Sequence, residues 1–595
     1  MTTAARTDRP GYVIPILERE FDDFETEATS FLNGQKEERL FIGFRLKQGV
    51  YGQRQPGRQM IRIKLPFGGV TPEQLDVLAD VVERYAPLNK AHITTRQNFQ
   101  IHHVPLPDMF HVLRRVGEVG LSSREACGSV VRNVTGDPWA GIRDDEPFDI
   151  TPYAGAFVRY WVRNEITQLL PRKFKVTFSG SDLDEGIVDI HDLGFIPRVR
   201  VIDGKEVRGF KMVTGGGLAI FARKALVVSE FVPVDEYLKV SEAVLRIFNA
   251  ATELRKNLAK ARLKFLVQRV GETAFQEMVA EELKKDWAQA DPETFKPDRL
   301  LFLDDEEADT PKAPANLPTP GADRAEFEEW ARTAVRKQRQ PGFVAVQLRI
   351  PQGDIEPHEF RGLAAIMRRY GNGRARTTQW QNLVLRWIPE GAVYGLWREV
   401  RELGFGDSGI QEIRDVVSCP GTDSCKLGIT SSMGLNRALG ERIASMEITD
   451  PLTRRMLINV SGCPNSCGQH HLGNIGFHGA AIKSGERQVP AYHIFIGGSR
   501  RDGASLRIGT LLKSRIPAKR APDAFERFVR MYERDRTAGE EFNTFADRVG
   551  TQPFEDAIKD LTLPPEFSLE AMDSFIDWER EGLYVLERGE GECAI

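Results

Sequence analysis

Four cysteines fall into two closely spaced pairs. Cys419 and Cys425 are separated by five residues, Cys463 and Cys467 by three, and 37 residues lie between the pairs. Thiolates are soft ligands that suit iron–sulfur clusters or zinc. Structural zinc sites usually space their paired ligands about two to four residues apart, so the five-residue gap fits zinc poorly. The set therefore predicts an iron–sulfur cluster, with zinc or four unrelated buried cysteines as the alternatives.

A second set of chemically capable residues is cationic. Lys173 and Lys175 alternate with apolar residues and so share one face of a predicted strand. Arg96 lies on the polar face of another strand, predicted for 92–104. Arginine offers an anion a rigid, permanently charged fork, and lysine can also donate a proton because burial or nearby cations lower its pKa. Taken alone, either strand face could equally be solvated surface.

The chain that must position these groups repeats itself. The tetrapeptide Arg-Gln-Pro-Gly that starts at Arg54 recurs at Arg339, and the register then holds at offsets of 285 to 282 residues. This indicates an internal duplication in which each copy has a short module and a longer one. In the first copy, Ser181 and Glu185 stand where the second copy has its last two cysteines. We therefore expect the second copy to hold the cluster and the first to supply the substrate face.

The short module is predicted to run strand–helix–strand. Alternating apolar and basic residues predict its first strand. Thr71 and Gln74 form a capping box with Pro72 at the first helical position. An acidic and proline-rich stretch between the copies predicts an extended linker. The predicted divisions are an N-terminal extension (1–39), the first short module (40–106), the first long module (107–283), the linker (284–324), the second short module (325–392), the second long module (393–540) and a C-terminal tail (541–595).

The bulk composition excludes several classes of protein. A chain of 595 residues is too long for one core, so several domains are expected. The net charge of −4, from 81 basic and 85 acidic residues, argues against nucleic-acid or membrane-surface binding. No apolar run approaches the ~20 residues that cross a bilayer, and the N-terminus lacks the apolar core of a secretory signal. We therefore expect a cytoplasmic protein.

The cysteine motifs are similar to those of a known family. SCPGTDSC at 418–425 and GCPNSC at 462–467 resemble the signature of the siroheme-dependent sulfite and nitrite reductases. The resemblance implies that the four cysteines hold a [4Fe–4S] cluster and that Cys467 also bridges this cluster to the siroheme iron. It implies an internally duplicated α/β (α+β) fold, in which a central ferredoxin-like-half module is flanked by two siroheme/[4Fe–4S] domains.

Three further segments resemble the catalytic motifs of the same family. They are TTRQNFQ at 94–100, VRNV at 131–134 and PRKFK at 171–175. An oxyanion that is to be reduced needs fixed positive charge and proton donors. The resemblance implies that this ring of anion-binding and proton-donating groups consists of Arg96, Arg132, Lys173 and Lys175.

Siroheme is rich in carboxylates, so further cations and close backbone approaches must line its pocket. Besides Cys467, the predicted cofactor contacts are Arg54, Arg62, Lys64, Asn98, Gln100, Thr214, Gly215, Gly216, Arg262 and Lys264. The glycine-rich run is otherwise a weak signal, and no P-loop or dinucleotide fingerprint is present.

The remaining cysteines and the motif histidines have plainer readings. Cys127 is by default a small core residue. In some sulfite reductases that this chain resembles, the corresponding residue lies near the siroheme and is joined to a tyrosine, which would here be Tyr51. His470 and His471 are expected to be structural, and Cys593 to be exposed and uninvolved.

The resemblance implies the six-electron reduction of sulfite to sulfide, with nitrite reduction to ammonia as the alternative. Nitrite-reducing relatives tend to have asparagine where this chain has Lys175. A scaffold that has lost its heme is the alternative from another class, and the intact cation set speaks against it. Since no flavin or NADPH module is evident, electrons must come from ferredoxin or a separate flavoprotein. The predicted docking surface is the basic run Lys513, Arg515, Lys519 and Arg520.

Overall fold

The computed structural model describes residues 12–289, 291–303, 310–502, 505–589 and 591–592. Its largest hydrophobic cluster draws on both short modules, and the next two lie one in each long module. The acidic stretch at 304–307 and Cys593 lie outside the described residues. None of the helices in the described ranges is both long and apolar enough to cross a bilayer.

Two helices precede the first strand of the first short module and join its core through Phe24 and Phe41. The elements in this part of the chain are α1 (Glu18–Leu32), α2 (Glu38–Lys47), β1 (Val50–Gly52), β2 (Arg58–Ile63), β3 (Gly69–Val70), α3 (Pro72–Tyr85), β4 (Ala91–Ile93), β5 (Phe99–Pro105) and α4 (Met109–Gly117). The first long module contains β6 (Val131–Gly136), α5 (Thr151–Trp161), β7 (Phe174–Phe178), β8 (Leu193–Ile202), β9 (Lys205–Thr214), β10 (Leu226–Pro233), α6 (Tyr237–Ala250), α7 (Leu263–Val270) and α8 (Glu272–Glu282).

The second copy repeats this order after a short helix, α9 (Asp286–Gln289). Its short module contains α10 (Arg324–Ala334), β11 (Val335–Lys337), β12 (Phe343–Leu348), β13 (Asp354–Ile355), α11 (Pro357–Tyr370), β14 (Ala375–Thr377), β15 (Leu383–Pro389) and α12 (Val393–Glu402). Its long module contains β16 (Val417–Ser418), α13 (Ser432–Ser445), α14 (Pro451–Arg454), β17 (Ile458–Ser461), β18 (Ile475–Ser484), β19 (Arg487–Ile496), β20 (Ser499–Asp502), β21 (Ser505–Arg507), β22 (Thr510–Pro517), α15 (Ala521–Asp535), α16 (Phe542–Val549) and α17 (Gln552–Ala557).

Helix α3 begins as predicted. Thr71 Oγ1 accepts a hydrogen bond from the N–H of Gln74 at 3.4 Å, and Gln74 Oε1 accepts one from the N–H of Thr71 at 3.0 Å. These reciprocal bonds satisfy two N–H groups that the start of a helix would otherwise leave without partners. The capping box is therefore confirmed.

The strand predicted for 92–104 is wrong in one respect. The chain turns back at 94–98, so that β4 and β5 form an antiparallel hairpin in which Ala91 pairs with Ile101. The N–H of Thr94 donates to the carbonyl of Asn98 at 2.9 Å, and the backbone between them takes a left-handed step. Arg96 therefore projects from a tight turn instead of from the polar face of a strand.

The second copy has the same turn with a different residue at its tip. In the β14–β15 hairpin the N–H of Thr378 donates to the carbonyl of Asn382 at 2.9 Å. Trp380, buried at 2% exposure, stands where the first hairpin has Arg96. The duplicated geometry therefore carries a cation in only one of its copies.

The two short modules exchange a strand. Strand β3 of the first copy pairs with β14 of the second, and β13 of the second pairs with β4 of the first. The five-stranded sheet of each short module thus contains strands from both copies. Helices α3 and α11 pack against each other in the shared core. This exchange fixes the two hairpin turns relative to one another.

The two long modules have the same sheet topology. The strand orders are β10-β9-β8-β7-β6 and β22-β19-β18-β17-β16, with the last three strands of each order parallel and the others antiparallel. In each copy two adjacent parallel strands end at the same edge, β6 and β7 in the first and β16 and β17 in the second. Loops that follow these strands therefore meet at one place in each copy.

The predicted linker and the predicted C-terminal tail both contain helices. The linker has α9 and a 3₁₀ turn at Pro292–Phe295, and its described residues beyond that turn form no helix or strand before α10. Within the predicted tail, α16 and α17 bury Phe542, Phe545 and Phe554 in the core of the second long module. The chain remains in contact with this core beyond the two helices, through Leu561 and Trp578.

Candidate active site and cofactor cavity

A cavity of about 430 Å³ lies where the two copies meet. Its wall is formed by the β4–β5 turn, the start of β7 and the loops that follow β16 and β17. The predicted residues on this wall are Tyr51, Arg62, Arg96, Asn98, Gln100, Cys127, Arg132, Lys173, Lys175, Cys419, Cys425, Cys463 and Cys467. The fold therefore brings the cations of the first copy to the cysteines of the second.

The strand ends explain how the cysteines converge. Cys419 directly follows β16, and Cys463 comes two residues after β17, which is its parallel neighbour. The N–H of Gly462 donates to the Sγ of Cys419 at 3.3 Å. Gly468 packs so tightly that a Cβ there would lie 1.9 Å from the carbonyl oxygen of Val460. The loops wrap closely because glycine permits these approaches.

The four thiols all lie on the wall of this cavity, where they could serve as the donor set for a cluster. Burial, and next the proximity of Cys467, raises the pKa of Cys419 to about 11. Burial likewise raises the pKa of Cys425 and Cys463. Such thiols become thiolates when iron binds and releases their protons. In the described part of the chain no three His, Cys, Asp or Glu side chains group closely enough to hold a single metal ion.

Arg96 is held in place by a neutral histidine. The Nδ1 of His191 lies 2.8 Å from the carbonyl of Ile187, which accepts its proton, so Nε2 is left to accept from Arg96 Nη1 at 2.9 Å. Burial, followed by the charges of Arg96 and Lys175, lowers the pKa of His191 well below its usual value. Burial and the charge of Arg132 lower the pKa of Arg96 to about 9. The guanidinium thus faces the cavity as a cation with a fixed orientation.

Lys175 is buried among other cations. Burial, and then Arg262, Arg96 and Lys173, lowers the pKa of its ammonium group well below the usual value. Its backbone N–H donates to Asp192 Oδ2 at 2.8 Å. An ammonium group with a lowered pKa is a better proton donor at neutral pH than an ordinary lysine.

Asp192 ties these cations to the glycine-rich loop. Both of its oxygens accept from Arg262, at 3.0 and 2.7 Å. Its carbonyl accepts from Thr214 Oγ1 at 2.6 Å. The carboxylate is fully buried and so partly balances the positive charge that the lysines and arginines bring to this wall.

Arg132 organises the loop that carries Cys127. Its Nε and Nη1 donate to the carbonyls of Gly128 and Ala126 at 2.8 and 3.0 Å. Cys127 is 1% exposed and belongs to a small apolar cluster against which Tyr51 packs. Both residues lie on the cavity wall, so their covalent link stays a prediction for which the surroundings are suitable.

Seven predicted cofactor contacts are not among the residues that line this cavity, and their contact with siroheme stays a prediction. They are Arg54, Lys64, Thr214, Gly215, Gly216, Arg262 and Lys264. Arg54 instead donates to the carbonyls of Cys425 and Gly428, at 3.5 and 2.7 Å, and so shapes the cysteine loop. Lys264 donates to the carbonyls of Leu218 and Phe221 at 2.7 and 2.6 Å.

Three more residues of this set, Lys64, Gly215 and Gly216, are also packed against other parts of the protein. Burial lowers the pKa of Lys64 to about 8. A Cβ on Gly216 would lie 2.1 Å from the carbonyl oxygen of Asp189, and one on Gly215 would lie 2.8 Å from Val267. The glycines therefore permit close packing between protein segments, and their approach to siroheme stays a prediction.

An ion-pair network occupies the place in the first copy that corresponds to the cysteines. The N–H of Asp137 donates to the carbonyl of Phe178 at 2.9 Å, as that of Cys419 does to Val460 at 3.3 Å, which sets the offset at 282. At this offset the counterparts of the four cysteines are Asp137, Arg143, Ser181 and Glu185. Arg143 forms a fully buried pair with Asp137, and Ser181 donates to Asp145 at 2.6 Å. These groups hold the loops together by charge where the second copy has thiols.

Several wall residues were not among the predicted site residues, although Thr95 and Arg172 lie within the quoted motifs. They are Thr95, His102, Arg172, His191, Gln381, Gln469 and Arg588. Within the described residues, the ring nitrogens of His102 and the Oε1 of Gln469 are buried without a hydrogen-bond partner. Buried polar atoms are rarely left unpaired in native proteins, so the cavity has the character of a site for a polar group. Four thiols on one side and a row of cations on the other suit a cluster and an anionic heme, respectively.

Comparison with known families agrees with this geometry. The model described as "Nitrite and sulphite reductase 4Fe-4S domain" matches residues 127–287 and 409–564. The model described as "Nitrite/Sulfite reductase ferredoxin-like half domain" matches residues 51–119 and 336–403. The chain belongs to the nitrite and sulfite reductase family. Its duplicated α/β fold is the fold of this family, as the sequence predicted.

Two curated relatives of this nitrite/sulfite reductase are named for nitrite. It is 32% identical over 490 residues to a chloroplastic ferredoxin–nitrite reductase of Oryza sativa subsp. japonica, covering 80% of this chain and 75% of the relative. It is 29% identical over 481 residues to a ferredoxin–nitrite reductase of Synechococcus elongatus, covering 80% and 86%. The solved structure of the Mycobacterium tuberculosis NirA protein superposes with a TM-score of 0.73 at 25% identity, covering 92% of this chain and 98% of that one.

The family assignment settles the cofactors. Nitrite and sulfite reductases of this family bind siroheme and a [4Fe–4S] cluster, and the donor sets of the cavity fit both groups. Cys419, Cys425, Cys463 and Cys467 would hold the cluster, and the cations on the opposite wall would hold siroheme and the substrate. The predicted cofactors are therefore confirmed, whereas the role of each residue stays a proposal.

Proposed function

We propose that this enzyme catalyses the six-electron reduction of sulfite to sulfide, with electrons delivered by ferredoxin. The observation that carries the choice of sulfite is Lys175, a buried ammonium group on the cavity wall beside Arg96 and Lys173. Sulfite is dianionic near neutral pH and larger than nitrite, so it gains more from an additional cation. At an effective dielectric constant of about 20, a charge pair at 4 Å contributes ~4 kcal/mol before desolvation is subtracted.

Nitrite reduction to ammonia is the second candidate, and the relatives support it more directly. The curated relatives from rice and from Synechococcus are both named ferredoxin–nitrite reductases. Nitrite needs the same number of electrons and the same kind of anion site. The argument for sulfite depends on Lys175, whereas the argument for nitrite depends on the names of proteins that share about a third of their residues with this chain.

The roles of the side chains follow from their charge and orientation. Siroheme, when bound, supplies an iron that holds the substrate and passes electrons from the cluster. Arg96, oriented by His191, and Arg132, oriented by its loop carbonyls, would bind the substrate oxygens. Lys175, whose pKa is lowered by burial, would donate protons to the oxygens as they leave as water, together with Lys173.

Ferredoxin is proposed as the electron donor because both relatives named above carry it in their names. Of the predicted basic run, Lys513 and Arg515 are exposed on β22. Lys519 instead pairs with Asp573 at 3.1 Å, and Arg520 donates to the carbonyls of Leu561 and Leu563 at 3.1 and 2.6 Å. The exposed pair is therefore the part of the run that is better suited to an acidic partner.

A kinetic comparison of the two substrates tests the proposal. The catalytic efficiency, kcat/KM, should be measured for sulfite and for nitrite in one preparation, with reduced ferredoxin and with a chemical reductant. The siroheme and iron contents should be determined in the same sample. A higher kcat/KM for sulfite supports the proposal. A higher value for nitrite would make nitrite reduction the function.

A further inference from the structure

The chain continues beyond the part that the family models match. The match to the 4Fe–4S domain ends at residue 564. The segment after it first stays attached to the second long module. Phe575 is buried at 1% exposure, Asp577 accepts the N–H of Ser431 at 2.7 Å, and Trp578 Nε1 donates to the carbonyl of Ala518 at 3.0 Å. The chain as far as Trp578 is therefore an integral part of the folded domain.

Beyond this anchor the segment crosses the loop that carries Cys425. The hydroxyl of Tyr584 donates to the carbonyl of Ile429 at 2.9 Å, and the N–H of Gly589 donates to the carbonyl of Lys426 at 3.0 Å. Gly591 lies so close to Leu427 that a Cβ there would be 2.7 Å from Cδ1. The segment thus runs along the cysteine loop and contacts it at three points.

The first copy contacts the same segment. Arg54 Nη2 donates to the carbonyl of Glu587 at 2.9 Å and to that of Gly428, in the cysteine loop, at 2.7 Å. One guanidinium therefore joins the first short module, the cysteine loop and the terminal segment. The segment is held from both sides of the cavity.

Glu592 ends this path as a buried ion pair. It is 1% exposed, and its Oε1 lies 2.7 Å from Arg45 Nη2 and 2.9 Å from Lys426 Nζ. Its Oε2 accepts the N–H of Gly52 at 2.8 Å. Arg45 and Gly52 belong to the first copy, and Lys426 to the second. A buried carboxylate is stable only with such partners, so these contacts select one position for the end of the segment.

The same segment reaches the cofactor cavity. Arg588 and Gly591 lie on its wall, on the side of Cys425 and Tyr51. Gly52, which Glu592 binds, directly follows Tyr51. Arg588 is largely exposed, which places it at the mouth of the cavity instead of in its interior.

We propose that residues 584–589, with Gly591 and Glu592, form a strap that closes the siroheme cavity. Glu592 is its latch, bound between Arg45 and Lys426, and Arg588 provides a cation for the carboxylates of siroheme at the cavity mouth. The strap holds the cofactor in place, because siroheme cannot leave through this mouth until the latch opens. This inference rests on the cavity being the siroheme site and not on which oxyanion is reduced.

The test measures how long siroheme stays bound. Holoenzyme is incubated with an excess of an apoprotein that captures heme-like tetrapyrroles, and the decay of the siroheme absorption band is followed. Glu592→Gln keeps the size of the side chain but removes the charge, and a truncation that ends at Leu583 removes the strap while keeping Phe575, Asp577 and Trp578. Siroheme should leave both variants about 10-fold faster than the full chain, because breaking a buried ion pair by removing one partner is strongly destabilising. Arg588→Gln should speed the loss to a smaller extent.

Glu581→Gln is the matched control, since Glu581 is an exposed carboxylate just before the strap. It should release siroheme at the rate of the full chain. Iron content and far-ultraviolet circular dichroism should be unchanged in Glu592→Gln, which separates loss of the latch from loss of the fold. Equal siroheme release from Glu592→Gln and from the full chain would overturn the strap. A full chain that never contains siroheme would instead overturn the proposed function.

Discussion

The hydroxyl of Thr95 donates a hydrogen bond of 2.8 Å to the carbonyl of Cys467, 372 positions further along the chain. Thr95 directly precedes Arg96 in the β4–β5 turn. The bond therefore links the segment of Arg96, the arginine of the first copy that we propose binds the substrate, to the last cysteine of the second copy. The strand exchange between the short modules, in which β13 pairs with β4 and β14 with β3, also holds the two copies in a fixed relative position.

Replacing Cys467 with serine should disrupt the assembled centre. A serine oxygen is a harder ligand and binds the iron of a cluster much more weakly than a thiolate does. We expect lower iron and siroheme contents per chain and loss of the magnetic coupling between the two groups. Iron and siroheme analysis of the purified variant measures the contents, and electron paramagnetic resonance measures the coupling. Cys127→Ser is the control for removal of a thiol from the same wall, and normal coupling in Cys467→Ser would contradict the bridging role.

His191→Leu should lower kcat/KM for the preferred oxyanion by about 10- to 100-fold, because a hydrogen bond to a charged group contributes about 1.5–3 kcal/mol. The leucine removes the Nε2 acceptor that orients Arg96. His191→Gln can still offer an acceptor and should retain most of the activity. The siroheme absorption bands should be the same in both variants, since the change acts on the substrate site. Equal kcat/KM in His191→Leu and the unmodified enzyme would exclude this positioning role.

The sequence predicted what is encoded locally. The cysteine spacing, the capping box of α3 and the alternation around Lys175 involve residues within a few positions of one another. The turn at 94–98 was missed because Ile93, Phe99 and Ile101 occupy odd-numbered positions on both sides of it, as they would in one continuous strand. The pairing of β4 with β5 shows that the chain turns between them.

Long-range partners account for the other differences. His191 lies 95 positions from Arg96, and no spacing rule connects them. Lys64 and Lys264 have the charge that a siroheme contact requires. Their burial beside a carboxylate and a backbone carbonyl, respectively, depends on the tertiary fold and could not be predicted from the sequence. The strand exchange depends on two-residue strands, which are too short to leave a periodic signal.

Lys64→Met should change how stability depends on pH. Burial lowers the pKa of Lys64 in the folded protein from 10.5 to about 8. Between these two values the unfolded chain binds more protons than the folded one, so the free energy of unfolding rises with pH, by at most about 1.4 kcal/mol per pH unit. This gain in the free energy of unfolding is absent below the pKa of Lys64 in the folded protein and complete above its pKa in the unfolded chain.

To check this slope, the thermal unfolding midpoint should be measured for the holoenzyme of the unmodified protein and of Lys64→Met, at one scan rate and across the same pH window. The difference between the unmodified protein and Lys64→Met should grow in favour of the unmodified protein as the pH rises. The exposed Lys205 provides the control substitution, Lys205→Met, which should leave the difference flat. A constant difference for Lys64→Met would mean that this lysine is not buried as a cation.

Charge reversal at Lys513 and Arg515 should weaken turnover with ferredoxin. Both side chains are exposed on β22, and ferredoxins are typically acidic. The KM for ferredoxin should rise and become less dependent on salt, because screening shortens from about 10 Å at 0.1 M to about 3 Å at 1 M. Lys205→Glu reverses an exposed charge in the first copy and should have no effect. Unchanged ferredoxin kinetics in the double variant would place the docking surface elsewhere.

Lys175→Asn should lower the ratio of kcat/KM for sulfite to that for nitrite. The substitution removes a buried ammonium group from the wall that holds Arg96 and Lys173. If about a third of the ~4 kcal/mol available to a charge pair at 4 Å survives desolvation, the ratio falls roughly 10-fold. The loss should come mainly from sulfite turnover, because the dianion depends more on the second ammonium group.

The pH dependence separates the two roles of Lys175. As a proton donor it must carry its proton, so turnover should fall as the pH rises through its lowered pKa, well before an ordinary lysine would titrate. In Lys175→Asn this alkaline limb should disappear or move, whereas Lys175→Arg should keep the charge and the sulfite preference but lose the titration. Siroheme occupancy must be equal in all three proteins. An unchanged ratio and an unchanged pH profile in Lys175→Asn would remove the argument for sulfite, and nitrite would then be the better supported substrate.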